Sequence, residues 1–145
     1  MPPPKTCGAF PRLQHRAIEL HDSKVLSVTE QGGAVHVRLD AYLHVSSGDP
    51  GRDAGTGWSQ EVELVVASGA VRESPQGTLW ILDGRITIDG AELDLLPLPL
   101  EEKGDIVIAL SGHEGRLSVS GRGIAVVEKG EPVFVEKVPA DVSGD

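Results

Sequence analysis

From Val35 to Val45 apolar and polar residues alternate without a break. Val35, Val37, Leu39, Ala41, Leu43 and Val45 share one parity; His36, Arg38, Asp40, Tyr42 and His44 share the other. A period of two marks a strand with one face turned to a packed interior, whereas a helix would bring apolar residues back every three or four positions. Ile18 to Glu30 carries a weaker version, with Ile18, Leu20, Leu26 and Val28 in phase and Asp22 and Lys24 breaking it. Gly32-Gly33 between the two runs suits a type I′ turn, which needs positive φ twice. That turn predicts a hairpin with Val28 opposite Val37, Leu26 opposite Leu39, His21 opposite His44 and Ser23 opposite Tyr42. A turn one residue earlier would set His21 against Tyr42 instead.

Similar reasoning extends along the chain. Trp58, Gln60, Val62, Leu64 and Val66 form one parity of a third strand, with Gly69 marking a bulge or bend. The run TLWILDGRITIDG predicts a hairpin centred on Asp83-Gly84, with Ile81 opposite Ile86 and Leu79 opposite Ile88. Trp80 and Leu82 then make a second apolar face, which suggests a further layer or a partner. Pro97 and Pro99 cannot donate ladder hydrogen bonds, so Ala91–Leu100 is expected to be an irregular or edge segment plugging one end of the core. Asp105–Leu110 and Gly115–Glu128 predict another hairpin, with Leu110 facing Leu117 and Ile108 facing Val119. Glu131–Val138 reads as the last strand.

About seven to nine short strands and no helix imply an all-β domain. One flat sheet would leave a broad apolar face in water, so the expected architecture is a two-layer antiparallel sandwich, with a closed β-barrel as the alternative. Residues 1–15, opening on Pro2, Pro3 and Pro4, are expected to be a flexible leader, 16–138 a single domain, and 139–145 a flexible tail.

Composition narrows the function. There are 13 basic and 22 acidic residues in 145, a net charge of −9, and no two basic residues are adjacent. Such a surface repels phosphate backbones and anionic membranes. Cys7, the one cysteine, permits no internal disulfide and favours a reducing compartment. Neither a signal peptide nor an apolar run of spanning length is seen, so the expected location is the cytoplasm.

Known catalytic patterns are missing: G-x-x-x-x-G-K-[ST], G-x-S-x-G and H-E-x-x-H do not occur, and G-R-G at Gly121–Gly123 opens no helix. Glu61 and Glu63 share a face, as a glycosidase pair would, but short alternation makes them a solvent face. The informative stretch is His21-Asp22-Ser23-Lys24. Asp22 has inward parity, and burying an unpaired carboxylate is costly, so it must be paired, bulged out or near an open end. The polar face beside it carries His21, His36, Tyr42 and His44. The polar loop Ser46–Gly57, with Asp49 and Asp53, lacks calcium-loop spacing but forms a plausible recognition edge next to Trp58.

The expected function is therefore a non-catalytic binding or protein-interaction module, possible self-association included. Its site is expected at His21, Asp22, Tyr42, His44, Asp49, Asp53 and Trp58, with no cofactor. The partner is another protein or a second copy, with a small-molecule ligand as a further option. One alternative is a metal-binding protein or metal-dependent enzyme using the His21, His36 and His44 face; another is a barrel carrying a small apolar ligand.

Overall fold

The computed structural model describes residues 15–139, except 49, 51, 52 and 94. Among them eleven strands form one continuous, curled antiparallel sheet: β1 (His15–Gln31), β2 (Ala34–Ser46), β3 (Gly55–Ala67), β4 (Ala70–Glu73), β5 (Leu79–Trp80), β6 (Asp83–Ile88), β7 (Ala91–Leu93), β8 (Leu95–Leu98), β9 (Glu101–Gly112), β10 (Gly115–Glu128) and β11 (Val133–Val138). Eight of them follow one path, β5-β1-β2-β3-β10-β9-β6-β7, curled like a half-barrel, while β11 joins β3, β4 joins β10 and β8 joins β1. Among the described residues no helix is long and apolar enough to cross a membrane. The leader with Cys7, the tail from 140 and Asp49 lie outside the described residues.

The alternation of β2 becomes the wall of the core. Val35, Val37, Leu39, Ala41, Leu43 and Val45 are all buried, and they meet Val62, Leu64 and Val66 of β3 with Ile106, Ile108, Leu110, Leu117 and Val119 of β9 and β10. Each large aliphatic side chain so enclosed stabilises the fold by about 1.5–3 kcal/mol relative to exposure. The Gly32-Gly33 turn forms with φ of 62° and 81°, pairing Gln31 with Ala34 and Val28 with Val37. The β9–β10 hairpin has the expected register, Leu110 opposite Leu117 and Ile108 opposite Val119.

Three expected pairings differ, the first being Ser23 with Tyr42, whose ladder partner is Glu19. Val25, not Leu26, faces Leu39, because a register shift falls between Val25 and Ser27. His21 does not face His44, whose partner across the ladder is Ala17. Between Glu19 and Lys24 the first strand advances five residues while β2 advances only two, from Tyr42 to Asp40. A bulge of that size turns side chains out of phase, and it resolves the misplaced parity of Asp22, whose carboxylate is exposed.

The Asp83-Gly84 hairpin does not form. β5 pairs with β1 (Lys24 opposite Trp80, Val25 opposite Leu79), and β6 pairs with β9 and β7. The tight turn falls instead at Asp89-Gly90, where φ is 51° and 83°. Gly84 is there for packing: a Cβ on it would lie 2.7 Å from Leu110 and 3.2 Å from Ile81. Leu79, Ile81 and Ile86 are nonetheless buried, and Trp80 and Leu82 exposed, as their parity requires. The proline-containing segment does run along an edge, β8 pairing with the start of β1 while Leu96 and Leu100 enter the core. The polar loop is shorter than expected, since β3 begins at Gly55.

Candidate functional site

The site grows from the bulge in β1. Ser23 is buried within it, and its hydroxyl does the work of the interrupted ladder. It donates to the Glu19 carbonyl (2.8 Å) and accepts from the Tyr42 amide (2.9 Å). The Ser23 carbonyl accepts from Ile81 N–H at 3.1 Å, which ties the bulge to the segment after β5. With backbone groups satisfied this way, Leu20 stays in the core while His21 and Asp22 point into solvent.

Glu19, His21 and Asp22 each bring one ligand atom within 4.8 Å of the others. His21 Nε2 lies 3.7 Å from Glu19 Oε1 and 3.4 Å from Asp22 Oδ2. Ligands about 2.0–2.2 Å from a tetrahedral ion are separated by about 3.3–3.6 Å, close to these two separations. The donor set of one imidazole and two carboxylates, without thiolate, matches borderline zinc or a harder divalent ion such as manganese. Burial first, and the Asp22 charge second, raise the Glu19 carboxyl above its ordinary 4.5, with His21 acting in the opposite direction. A bound cation would relieve both effects.

The other Glu19 oxygen, Oε2, sits 3.5 Å from Nδ1 of His44. His44 lies on the polar face yet is buried, and burial lowers its pKa below 6.5 against a raising hydrogen bond to the Asp53 backbone. Its position depends on glycines across the ladder. A Cβ on Gly55 would lie 2.9 Å from His44 Nε2, and one on Gly57 would lie 2.0 Å from the Tyr42 hydroxyl. Tyr42 crosses that gap and donates to Glu136 Oε2 at 2.7 Å. Burial and that hydrogen bond raise its pKa well above 10, so it remains a donor.

Below this, the ladder forms a second outward row: Trp80, Lys24, Asp40 and Glu61 stand opposite one another in turn. Lys24 Nζ is 3.9 Å from Asp40 Oδ2 and 4.3 Å from the centre of the Trp80 ring. Asp40 Oδ1 accepts from the Ser59 hydroxyl at 2.8 Å. Asp22, Lys24, Asp40, Ala41, Tyr42, Ser59 and Trp80 line a groove of about 180 Å³ between the two rows.

The expected site residues thus divide. His21 and Asp22 meet at the bulge, Tyr42 and His44 flank them on the same face, and Asp53 touches His44 through its backbone. Trp58 belongs to the inward parity of β3, opposite Leu43; it packs on the core and lies edge-on to Phe134, ring centres 5.6 Å apart. His36 pairs with Glu63 at 3.0 Å, and Arg38 with Glu61, away from the bulge. Glu19, Lys24 and Trp80 were not among the expected residues. The outward parity of Glu19, two positions before His21, is the signal that could have found it. No family model matches the chain, and no curated protein or solved structure matches it either.

Proposed function

We propose that this all-β domain is a metal-binding module, with a divalent cation held by Glu19, His21 and Asp22. The observation that carries the reading is the convergence of three ligand atoms within 4.8 Å at one bulge. Glu19 would be steadied by His44, and the exposed side of the ion would keep positions open to water or a further ligand. Of the expected histidines, His21 serves as a ligand and His44 as a support, while His36 takes no part. The net charge of −9 favours cations over nucleic acid, and the single cysteine supports a reducing location, the cytoplasm.

The closed barrel accounts for the curled sheet better than the two-layer sandwich. Support comes from the segment after β5, where Ile81 N–H donates to Ser23 of β1 and Leu82 N–H to Ser111 of β9, so one stretch of chain bridges both.

Calorimetric titration with zinc and with manganese tests the cation. One equivalent bound in the micromolar range, and a loss of tenfold or more in Asp22→Asn and His21→Ala, is the expected result. Absence of binding up to millimolar metal would overturn it.

A second reading, self-association, is favoured by β11. Val133, Phe134 and Val135 are all about half exposed or more, and among the described residues the strand pairs only with β3. An unpaired apolar edge is a template for another strand. Size-exclusion chromatography with light scattering decides it, a concentration-independent monomer counting against it.

A further inference from the structure

Away from the bulge, the outer face of β6, β9, β10 and β4 carries another groove, of about 410 Å³. The ladder builds it in two rows. Asp83, Ser111 and Arg116 stand opposite one another in the first; Arg85, Ala109, Ser118 and Glu73 do so in the second. Alternation turns both rows outward, since Ile86, Ile108, Leu110, Leu117 and Val119 between them are buried. The middle of each row is small. The charged ends therefore stand as two walls over a floor of Ala109, Ser111 and Ser118, each wall carrying one guanidinium and one carboxylate.

The two walls differ in what they have left to bind. On β6 the charges are met within the fold: Arg85 lies 3.3 Å from Glu92 and 3.9 Å from Asp83. On the opposite wall, among the described residues, the Arg116 guanidinium, the Glu73 carboxylate and the Ser118 hydroxyl have no hydrogen-bond or ion-pair partner, one another included. Glu73 ends β4 and faces Ser118, while Arg116 lies two positions along β10 on the same face. Diagonal neighbours of this kind stand about 7–8 Å apart. A cation and an anion thus flank a hydroxyl, with a gap between them.

That gap selects by charge. A simple anion on Arg116 meets Glu73 beside it and Asp83 across the floor; a simple cation on Glu73 meets two guanidiniums. A neutral molecule strips water from both charges and gives neither a counterpart, which is unfavourable. An α-amino acid zwitterion answers both. Its nitrogen and carboxyl carbon are about 2.5 Å apart, and a charge-assisted hydrogen bond of about 2.7–2.9 Å at each end extends the span to about 8 Å, the diagonal spacing. The guanidinium fork suits the carboxylate, and the Glu73 oxygens accept from the ammonium. The volume falls within the roughly 300–1,000 Å³ of small-molecule pockets, which leaves room for a side chain across the floor, where Arg85 and Asp83 favour a polar one.

We propose that this groove binds a free α-amino acid as its zwitterion, with the carboxylate on Arg116, the ammonium on Glu73, the Ser118 hydroxyl between them and a polar side chain laid over Ala109 toward β6. The groove shares no residue with the Glu19, His21 and Asp22 cluster, so the proposal stands or falls apart from the cation reading.

The test uses the full chain, nitrogen-15 labelled, without added metal. The natural L-amino acids are titrated singly while amide shifts are followed by nuclear magnetic resonance. Saturable shifts on β4, β9 and β10 are expected from at least one polar amino acid, with a dissociation constant on the order of 1 mM or tighter, as suits a ligand of about ten non-hydrogen atoms. Its N-acetyl derivative, which lacks the ammonium, and its carboxamide, which lacks the carboxylate, should each bind at least tenfold more weakly. Arg116→Gln and Glu73→Gln should each do the same without a change in Tm, since both side chains are exposed. Asp22→Asn should leave binding within twofold. Undiminished binding of the N-acetyl derivative overturns the zwitterion. Shifts confined to β1, β2 and β3, or undiminished binding in both variants, overturn the site. Absence of saturable shifts from every natural amino acid at millimolar concentration overturns the proposal as a whole.

Discussion

Ser23→Ala removes one oxygen that serves two backbone groups. In the native fold this hydroxyl, 2% exposed with its residue, accepts from the Tyr42 amide at 2.9 Å and donates to the Glu19 carbonyl at 2.8 Å. Alanine leaves both groups without that partner in the middle of a bulge, where the ladder offers no replacement. Each orphaned group costs about 1–3 kcal/mol, so a combined loss of about 2–6 kcal/mol is expected. For a domain of this size that corresponds to a fall in Tm of about 4–24 °C, at roughly 2–4 °C per kcal/mol. Urea unfolding at constant m measures the free energy, and amide hydrogen exchange locates it, since the Tyr42 amide should lose protection before Leu43. The cation ligands should loosen as well, with metal affinity falling about 10–100-fold, as for lost supports around other metal sites. A loss under about 0.5 kcal/mol with unchanged exchange at Tyr42 would refute the idea that this hydroxyl holds the bulge.

Other outcomes follow from the same geometry. Leu39→Ala empties a fully buried position in β2 and should cost about 2–5 kcal/mol in urea unfolding. Gly57→Ala places a methyl 2.0 Å from the Tyr42 hydroxyl; it should cost about 1–3 kcal/mol and release Tyr42 from Glu136, read as a lower phenolic pKa by ultraviolet titration. Glu128 accepts two hydrogen bonds from Arg16, each 3.1 Å, and these hold its carboxyl below the ordinary 4.5. Because the folded value is the lower one, its stabilisation is complete above about pH 4.5 and fades as pH falls through the folded value. Glu128→Gln should therefore flatten the acid limb of stability measured between pH 5 and pH 2. A divalent cation at about 100 times its dissociation constant should stabilise the protein by about 2.7 kcal/mol, an increment that Asp22→Asn removes in a thermal melt.

How far local pattern reaches is visible in particular elements. The faces of β2, β3, β9 and β10 were legible because alternation is a property of neighbouring residues, and water selects the face. The Gly32-Gly33 turn and the β9–β10 register were legible because a two-residue loop leaves little choice of pairing. Asp22 announced a break in pattern, yet the size of the bulge was hidden, since it depends on Ser23 finding the Tyr42 amide on another strand. Asp83-Gly84 misled because a glycine required for close packing against Leu110 looks the same in sequence as one required for a turn.

What the chain's own order of residues determined was an all-β domain, the parity of its interior, and the presence of a polar irregularity near residue 22. Only the tertiary structure decided which side chains share that place. Glu19 meets His21 and Asp22 because three extra residues are folded out of one ladder, and Trp80 reaches Lys24 because β5 pairs with β1 and not with β6. The physical reason is that burial of a face needs only short-range alternation, whereas a site needs particular atoms brought together across strands distant in sequence. That is settled by which backbone groups remain to be paired.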